Sequence, residues 1–508
     1  METMYLIVSV LLLILVICNK LLQRKYHHKN LPPSPPSLPI IGHFHLLKQP
    51  VHTAIDKLIQ LYGPVLFLWF GFRPVVVLSS PAAIKECFTK NDIIFANRPR
   101  LLMGGLTEKY SVIPLAQYGH LWRNLRRVTA IELFSLIRLD MSSNGRKGEA
   151  RSLIRKMFKN SNGEFMKVEL KSVFYKLVFN FLARILGMKP YFGEEEMVDP
   201  QMAKDKLDAL RSKFSATPAF GLGDFFPFLK WISRWRMGKK TLEWFKKRDQ
   251  YLQNILDGFR SRASISSKEE KEKKRTIVDV LLSLQETEPE LYTDDVIKGI
   301  ILVTFVGGSG TSTTTMEWAM SLLLNHPEVL DKARNEIEHN VGCHQLLDES
   351  DLVKLPYLRC IISETLRVCP IGAFLAPHES SEDCTIGGYN VPKGTMLLVN
   401  QQALYKDPKV WPEPTMFKPE RFEKSKRENE GTKWIGFGQG RRGCPGEALA
   451  NRTLGLTLGL LIQCFDWERV GGEMVDMTTG DQRLMTKAKP LEAMYRPRKA
   501  LLNVLSQL

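Results

Sequence analysis

The chain has 508 residues, of which 44% are hydrophobic and 25% charged, a balance that excludes disordered and fibrous classes. At roughly 150 residues per domain, that length means about three ordinary domains or one large one. Seventy-one Lys and Arg against 54 Asp and Glu leave a net charge of +17, suited to an acidic partner or an anionic membrane. The charge is spread along the chain and no reader motif occurs, which disfavours nucleic acid. Eight scattered cysteines without a CxxC pair exclude a disulfide scaffold, argue against structural zinc and point to a reducing compartment.

Met4 to Cys18 (MYLIVSVLLLILVIC) carries no charge. It is short for a spanning helix, but Leu21 and Leu22 extend it and Lys20 can snorkel. A cleaved signal peptide is the competing reading. It conflicts with Glu2 and the lack of Lys or Arg ahead of the run, and with the lack of an Ala-x-Ala-like site after it. Lys20, Arg24, Lys25 and Lys29 follow the run, so the expectation is an uncleaved single-pass anchor over 1–22 with the remainder cytosolic. A basic, proline-rich segment completes 23–42. Its LPPSPPSLPIIG (Leu31 to Gly42) cannot be helical and reads as a stiff hinge, with a polyproline ligand as the alternative.

Residues 43–508 read as one large, mostly helical domain. Pro64 to Phe70 and Pro74 to Leu78 are apolar, β-branched or aromatic runs around Gly71 to Arg73, a hairpin pattern. Thr293 is a fitting N-cap for a helix that opens on Asp294 and Asp295 and runs to about Asn325, before Pro327. Ser264 to Arg275 is a charged loop. Trp231, Arg234, Trp235, Arg236, Lys239 and Lys240 mix aromatics with cations, as at a membrane interface.

The chemistry concentrates in Phe437 to Gly446, FGQGRRGCPG. Four glycines let the backbone fold tightly about Cys444 and aim N–H groups at its sulfur, and Arg441 and Arg442 add positive charge. Both features favour a thiolate, and Phe437 could shield one side of it. A thiolate in a dry, glycine-lined loop suits a soft or borderline metal such as haem iron.

Phe437-x-x-Gly440-x-Arg442-x-Cys444-x-Gly446 resembles the haem-binding signature of the cytochromes P-450 at every fixed position. Five such matches arise by chance on the order of once in 10⁴ chains of this length. The resemblance implies a single domain, mainly α with smaller β-sheets (α+β), binding haem b with Cys444 as axial ligand. Arg442, Trp122, Arg126 and His378 are then expected at the propionates. Glu364, Arg367 and Arg421 (in Pro419-Glu420-Arg421-Phe422) would form a buried structural ion network. Phe374 and Arg483 would line the substrate pocket, with core packing an equal reading for Phe374.

Gly307-Gly308-Ser309-Gly310-Thr311-Ser312 aligns with the family's oxygen-side helix motif, which implies that Thr311 is catalytic. An acid normally precedes that threonine, and here the position is Gly310. Water with Ser309 or Ser312 could replace the missing relay, or the oxygen chemistry could differ. Asn451-Arg452-Thr453 is a formal glycosylation sequon, read as unused.

The hinge, the motif order and the closing Lys487 to Arg498 segment look like plant A-type microsomal enzymes of the isoflavone hydroxylase and lignan methylenedioxy-bridge group. That implies an endoplasmic-reticulum enzyme fed electrons by NADPH-cytochrome P-450 reductase, with cytochrome b5 as a possible second donor. Arg123, Arg127 and Arg441 could contribute a basic face for the reductase. The implied activity is monooxygenation of an apolar specialised metabolite (flavonoid, lignan, terpenoid, alkaloid or indolic). Oxidative ring or bridge formation is the alternative, and haem binding without catalysis a remoter one.

Overall fold

The computed structural model describes residues 5, 16–17, 30–101, 112–161, 163–193, 196, 204–214, 220–231, 238–265, 276–423, 433–480 and 484–508. Most of the 1–22 segment, residues 23–29, Arg234, Trp235, Arg236, the charged stretch 266–275 and Arg483 lie outside them, as do the side chains of Lys239 and Lys240.

The β-branched hairpin forms where its pattern places it. β1 (Val65–Phe70) pairs antiparallel with β2 (Arg73–Leu78), Phe70 opposite Arg73. Both strands are largely buried, as their near-continuous apolar sequence requires. The sheet continues through β3 (His378–Glu379) and β4 (Met396–Val399) in the order β1-β2-β4-β3, with β4 parallel to β2. A second, antiparallel sheet has Glu492–Pro497 between Met166–Glu169 and Phe465–Arg469.

The proline-rich segment is irregular and strapped to the first sheet. Phe67 N–H donates to the Pro33 carbonyl at 2.9 Å, and His43 N–H to the Trp69 carbonyl at 2.8 Å. The buried His43 ring accepts from Trp69 N–H at Nδ1 (2.7 Å) and donates from Nε2 to the Pro35 carbonyl (2.8 Å), which requires the neutral tautomer. Burial is the main cause of its depressed pKa. A depressed histidine contributes stability above its ordinary pKa of 6.5, and that contribution is lost as pH falls below it, by at most about 1.4 kcal/mol per pH unit. Urea unfolding between pH 7.5 and 5 is expected to show this loss, and His43→Gln to flatten the slope. An unchanged slope in the variant would assign the loss to other groups.

The helical side is organised by five elements: α1 (His120–Glu132), α2 (Leu170–Ile185), α3 (Asp294–Asn325), α4 (Pro356–Val368) and, after the cysteine, α6 (Glu447–Cys464), with the short α5 (Gln401–Lys406) between the last two. The Thr293 hydroxyl caps α3 by accepting Val296 N–H at 3.4 Å, and Pro327 opens the next helix. At 32 residues, α3 is about 48 Å long and crosses the domain. Among the described residues it alone is long and apolar enough to span a bilayer, but it is packed inside the fold. Its closest neighbour is α2. Phe179 stacks on Phe305 at 4.4 Å, and a Cβ on Gly308 would sit 2.9 Å from a Leu182 methyl, so glycine lets the leucine pack there without shifting. One large hydrophobic cluster joins the helices, and two smaller ones face the first sheet. The architecture is one α+β domain.

Candidate active site

Between β4 and α6 the chain winds into a tight loop. Cys444 N–H donates to the Phe437 carbonyl at 2.8 Å and Gly443 N–H to the Gly440 carbonyl at 3.0 Å. Gly438 and Gly440 take φ of +73° and +68°, which disfavours any side chain. A Cβ on Gly440 would lie 2.3 Å from Asp92 Oδ1. The loop presents the Cys444 sulfur in a crevice, reachable by water yet ringed by protein. Burial, with the charge of Glu447, holds the thiol pKa above its ordinary value despite the opposing pull of Gly446 N–H and the Arg126 cation, so the protein alone does not favour the thiolate as the sequence suggested.

Arg126 is therefore the cation at the sulfur, not Arg441 or Arg442 as the sequence suggested. Arg441 pairs with Asp92 at 3.2 Å and lies over Tyr118. Arg442 turns to the other wall. Phe437 packs edge-on against Trp434, ring centroids 5.9 Å apart.

Arg442 donates to the carbonyls of Ala96 (2.6 Å), Ile113 (2.9 Å) and Ala116 (2.6 Å), and its guanidinium stacks on Trp122 at 4.4 Å. Trp122 and Arg126 share one face of α1, and Arg126 donates to the Gly443 carbonyl at 2.8 Å. His378, buried on β3, donates from Nδ1 to the Phe95 carbonyl at 2.7 Å, and burial with the charge of Arg98 holds its pKa well below the usual range.

Arg98 was not singled out from the sequence. It is 8% exposed and donates from Nη1 to the carbonyls of Ala376 and Pro377, each at 2.6 Å. Burial lowers its pKa to about 10, and burial plus the neighbouring arginines lower that of Arg442 to about 9. Among the described residues no carboxylate pairs with Arg98, Arg126 or Arg442. Arg98 Nε and Trp122 Nε1 are buried with no hydrogen-bond partner. Buried charges are ordinarily paired and buried donors satisfied, so this set is built for an anionic ligand. Cations and orphaned donors beside a loop-borne cysteine suit the two propionates of a haem.

The expected ion network forms beside α4. Glu364 and Arg367, one turn apart on α4, form a bidentate pair at 2.7 and 2.8 Å, both side chains fully buried. Arg421 reaches the same carboxylate at 3.3 Å. Arg367 also donates to the carbonyls of Tyr405, Pro414 and Met416.

A family model described as cytochrome P-450 matches residues 32–494. The chain belongs to the cytochrome P-450 family. It is 46% identical over 510 residues to cytochrome P-450 81Q32 of Catharanthus roseus, covering 100% of both chains. It is 45% identical over 488 residues to the (+)-piperitol/(+)-sesamin synthase of Sesamum radiatum, covering 96% of this chain and 94% of that one. It is 42% identical over 501 residues to the isoflavone 2'-hydroxylase of Glycyrrhiza echinata, covering 98% of each. The P-450 family binds haem b through a cysteine thiolate, and the chain is a haem-thiolate monooxygenase. Enzymes of this family draw electrons from a redox partner and take hydrophobic substrates.

α3 carries the Gly307 to Ser312 segment that the sequence aligned with the family's oxygen-side motif. Besides its terminal residues and Val306 and Gly308, which are partly open on its flanks, α3 is open or partly so at Val303, Thr304, Gly307, Gly310 and Thr311. Their spacing at i, i+1, i+4, i+7 and i+8 makes a single stripe. Thr311 Oγ1 donates to the Gly307 carbonyl at 2.6 Å. Ser309 and Ser312 are buried on the opposite side, where Ser309 donates to the Phe305 carbonyl and contacts Tyr175. Neither is placed to take over from the missing acid, which corrects that expectation.

Among the described residues a Cβ on Gly310 would meet only Leu484, at 3.5 Å, an ordinary contact, so the backbone there tolerates a Cβ. Leu484 belongs to a segment tied to the following wall by Met485 N–H donating to the Ile371 carbonyl at 2.8 Å. Phe374, in that wall, packs partly buried against the core of the first sheet. The sequon lies inside α6 with Thr453 buried.

Proposed function

We propose that this enzyme hydroxylates an apolar plant specialised metabolite of the flavonoid or lignan type. Cys444 would be the axial thiolate, Arg98, Trp122, Arg126, His378 and Arg442 the propionate set, and Thr311 the hydroxyl at the oxygen-binding face. The observation that carries the reading is the uncharged stripe from Val303 to Thr311, which offers a flat, apolar molecule nothing to pair with except the hydroxyls of Thr304 and Thr311. Haem, when bound, supplies the oxygen activation; the protein holds its carboxylates, shields its thiolate and orients the substrate. The named relatives, which include an isoflavone hydroxylase and a sesamin synthase, support flavonoids and lignans as the first classes to test.

Methylenedioxy-bridge formation is the second reading, favoured by the sesamin synthase likeness and by Gly310. The deciding experiment uses microsomes carrying the enzyme and a plant reductase, given NADPH, heavy-isotope O₂ and a panel of flavonoids, lignans, terpenoids, alkaloids and indolics. A product carrying one heavy oxygen supports hydroxylation. A product lighter by two hydrogens and unlabelled supports the bridge. No reductase-dependent product from any class would sink both. In the same system Gly310→Asp is expected to lower the hydrogen peroxide released per product at least about twofold, general acid–base assistance being worth more than that where it operates. An unchanged ratio would make the missing acid irrelevant.

We infer an endoplasmic-reticulum location, with residues 1–22 as anchor, 23–42 as hinge and 43–508 as catalytic domain. Exposed Leu38, Ile41, Phe220, Leu222, Phe228 and Trp231 lie near where the hinge joins the first sheet, because Phe44 packs on Phe225 and Phe226 at 5.2 and 5.8 Å. A chain beginning at residue 30 is expected to keep part of its binding to anionic vesicles and to lose it in Trp231→Glu/Phe228→Glu. Equal binding by both would remove this second contact. The electron donor on this reading is NADPH-cytochrome P-450 reductase, with cytochrome b5 optional. Arg123 and Arg127 on α1 would meet its acidic surface, while Arg441 is already paired.

A further inference from the structure

A separate cavity of about 430 Å³ lies between the C-terminal half of α3, the end of α4 and α5. Neither Cys444, Thr311 nor any of the arginines near the cysteine lines it. Its apolar wall is made by Trp318 and four methionines, Met416, Met474, Met477 and Met485. Thioether sulfurs pack favourably against aromatic rings and adapt to irregular shapes, and the volume falls in the range of small-molecule sites.

Beside Asn325, His326, Thr415 and Thr479, two further polar side chains line the same space. Gln402 and Lys406 are four apart on α5 and so share a face. Gln402 is 5% exposed, and its Oε1 is buried without a hydrogen-bond partner. A native fold rarely leaves such an acceptor unsatisfied. Lys406 is exposed and has no salt bridge among the described residues; Asp56, which feels its charge, is hydrogen-bonded to Asn400 at 2.6 Å. A hydroxyl on an aromatic ring meets both needs, donating to Gln402 and accepting from the ammonium.

We propose that this cavity is a second binding site, for a small aromatic molecule bearing a phenolic hydroxyl. Its position gives it access to the active site. Gln402 N–H donates to the Ala373 carbonyl at 3.2 Å, and Trp318 Nε1 to the Met485 carbonyl at 2.8 Å. The cavity thus backs onto the Ile371–Phe374 and Leu484–Met485 segments that bound the oxygen side. Occupancy can shift substrate affinity without occupying the substrate's place.

The test is equilibrium dialysis of the full-length, haem-loaded enzyme with the fluorescent phenol 4-methylumbelliferone. The active site is closed by 4-phenylimidazole on the iron. One phenol per enzyme is expected to remain bound. Lys406→Met, an exposed change that leaves the core intact, is expected to weaken it about tenfold, the worth of one charge-assisted hydrogen bond. The probe's methyl ether, which cannot donate to Gln402, is expected to bind about tenfold more weakly to the unaltered enzyme, a comparison that needs no buried variant. Absence of binding once the azole is present overturns the proposal. So does binding indifferent to Lys406→Met, or equal binding of phenol and ether.

Discussion

Glu364→Ala is expected to yield almost no soluble, haem-loaded protein. Arg367 is fully buried and its counter-ion is Glu364, held through two hydrogen bonds at 2.7 and 2.8 Å. Removing one partner of such a pair costs roughly 3–5 kcal/mol, because the remaining charge stays buried and unpaired. A whole domain is stable by only about 5–15 kcal/mol. Arg421→Ala is expected to be mild by comparison. It removes the contact to Glu364 at 3.3 Å and a hydrogen bond to the Glu413 carbonyl at 2.8 Å, both from a side chain at the edge of the network, a loss of about 1–2 kcal/mol. The double change Glu364→Leu/Arg367→Met separates charge from shape. If the unpaired charge is the cause, the pair should recover more soluble protein than Glu364→Ala alone. Yield below the single variant would instead assign the effect to the carbonyls of Tyr405, Pro414 and Met416, which Arg367 also binds. Haem content and urea unfolding of the purified variants measure both.

How much of this site could be read beforehand follows from how local each signal is. The hairpin and the α3 cap depend on residues close in sequence, and continuous β-branched and aromatic runs and a capping hydroxyl report them directly, whereas the Glu364–Arg367 pair, one i,i+3 spacing among several expected by chance, was legible only through the family resemblance. The glycines of the cysteine loop were legible because positive φ is almost their exclusive province. The direction of a side chain in an irregular loop is not encoded that way. Arg441 and Arg442 adjoin the cysteine in sequence, yet Asp92 and the 96–116 carbonyls draw them aside, and Arg126 reaches the loop from a helix more than 300 residues earlier. Arg98 sits in a segment without periodicity, and its meaning emerges only from what surrounds it. Ser309 and Ser312 illustrate the opposite failure. Their helical phase puts them roughly 140–200° from Gly307, at the middle of the stripe, so an α3 register read together with that stripe would have excluded them.

Arg98→Leu is expected to move two properties in opposite directions, strengthening the haem-free protein while loosening its hold on haem. In the wild type the Arg98 cation is 8% exposed and, among the described residues, has no carboxylate partner and an unsatisfied Nε. An unpaired buried charge costs several kcal/mol. The two carbonyl hydrogen bonds that Arg98 makes to Ala376 and Pro377 return only about 1–3 kcal/mol each. Without an anion, removing the charge should therefore be neutral to favourable, and the urea midpoint of the haem-free variant should equal or exceed that of the wild type. With an anionic ligand bound the balance reverses, since charge-assisted hydrogen bonds to a carboxylate in a low-dielectric site are among the stronger ones available. Transfer of haem to an excess of apomyoglobin should then be at least about tenfold faster from the variant, equivalent to losing about 1.4 kcal/mol of differential binding. Arg98→Lys keeps the charge but not the planar donor array, and belongs between the two. If Arg98→Leu instead lowers the urea midpoint and leaves haem transfer unchanged, the arginine serves only to hold the 376–377 backbone, and the anionic ligand is carried by Arg126, Arg442 and Trp122 without it.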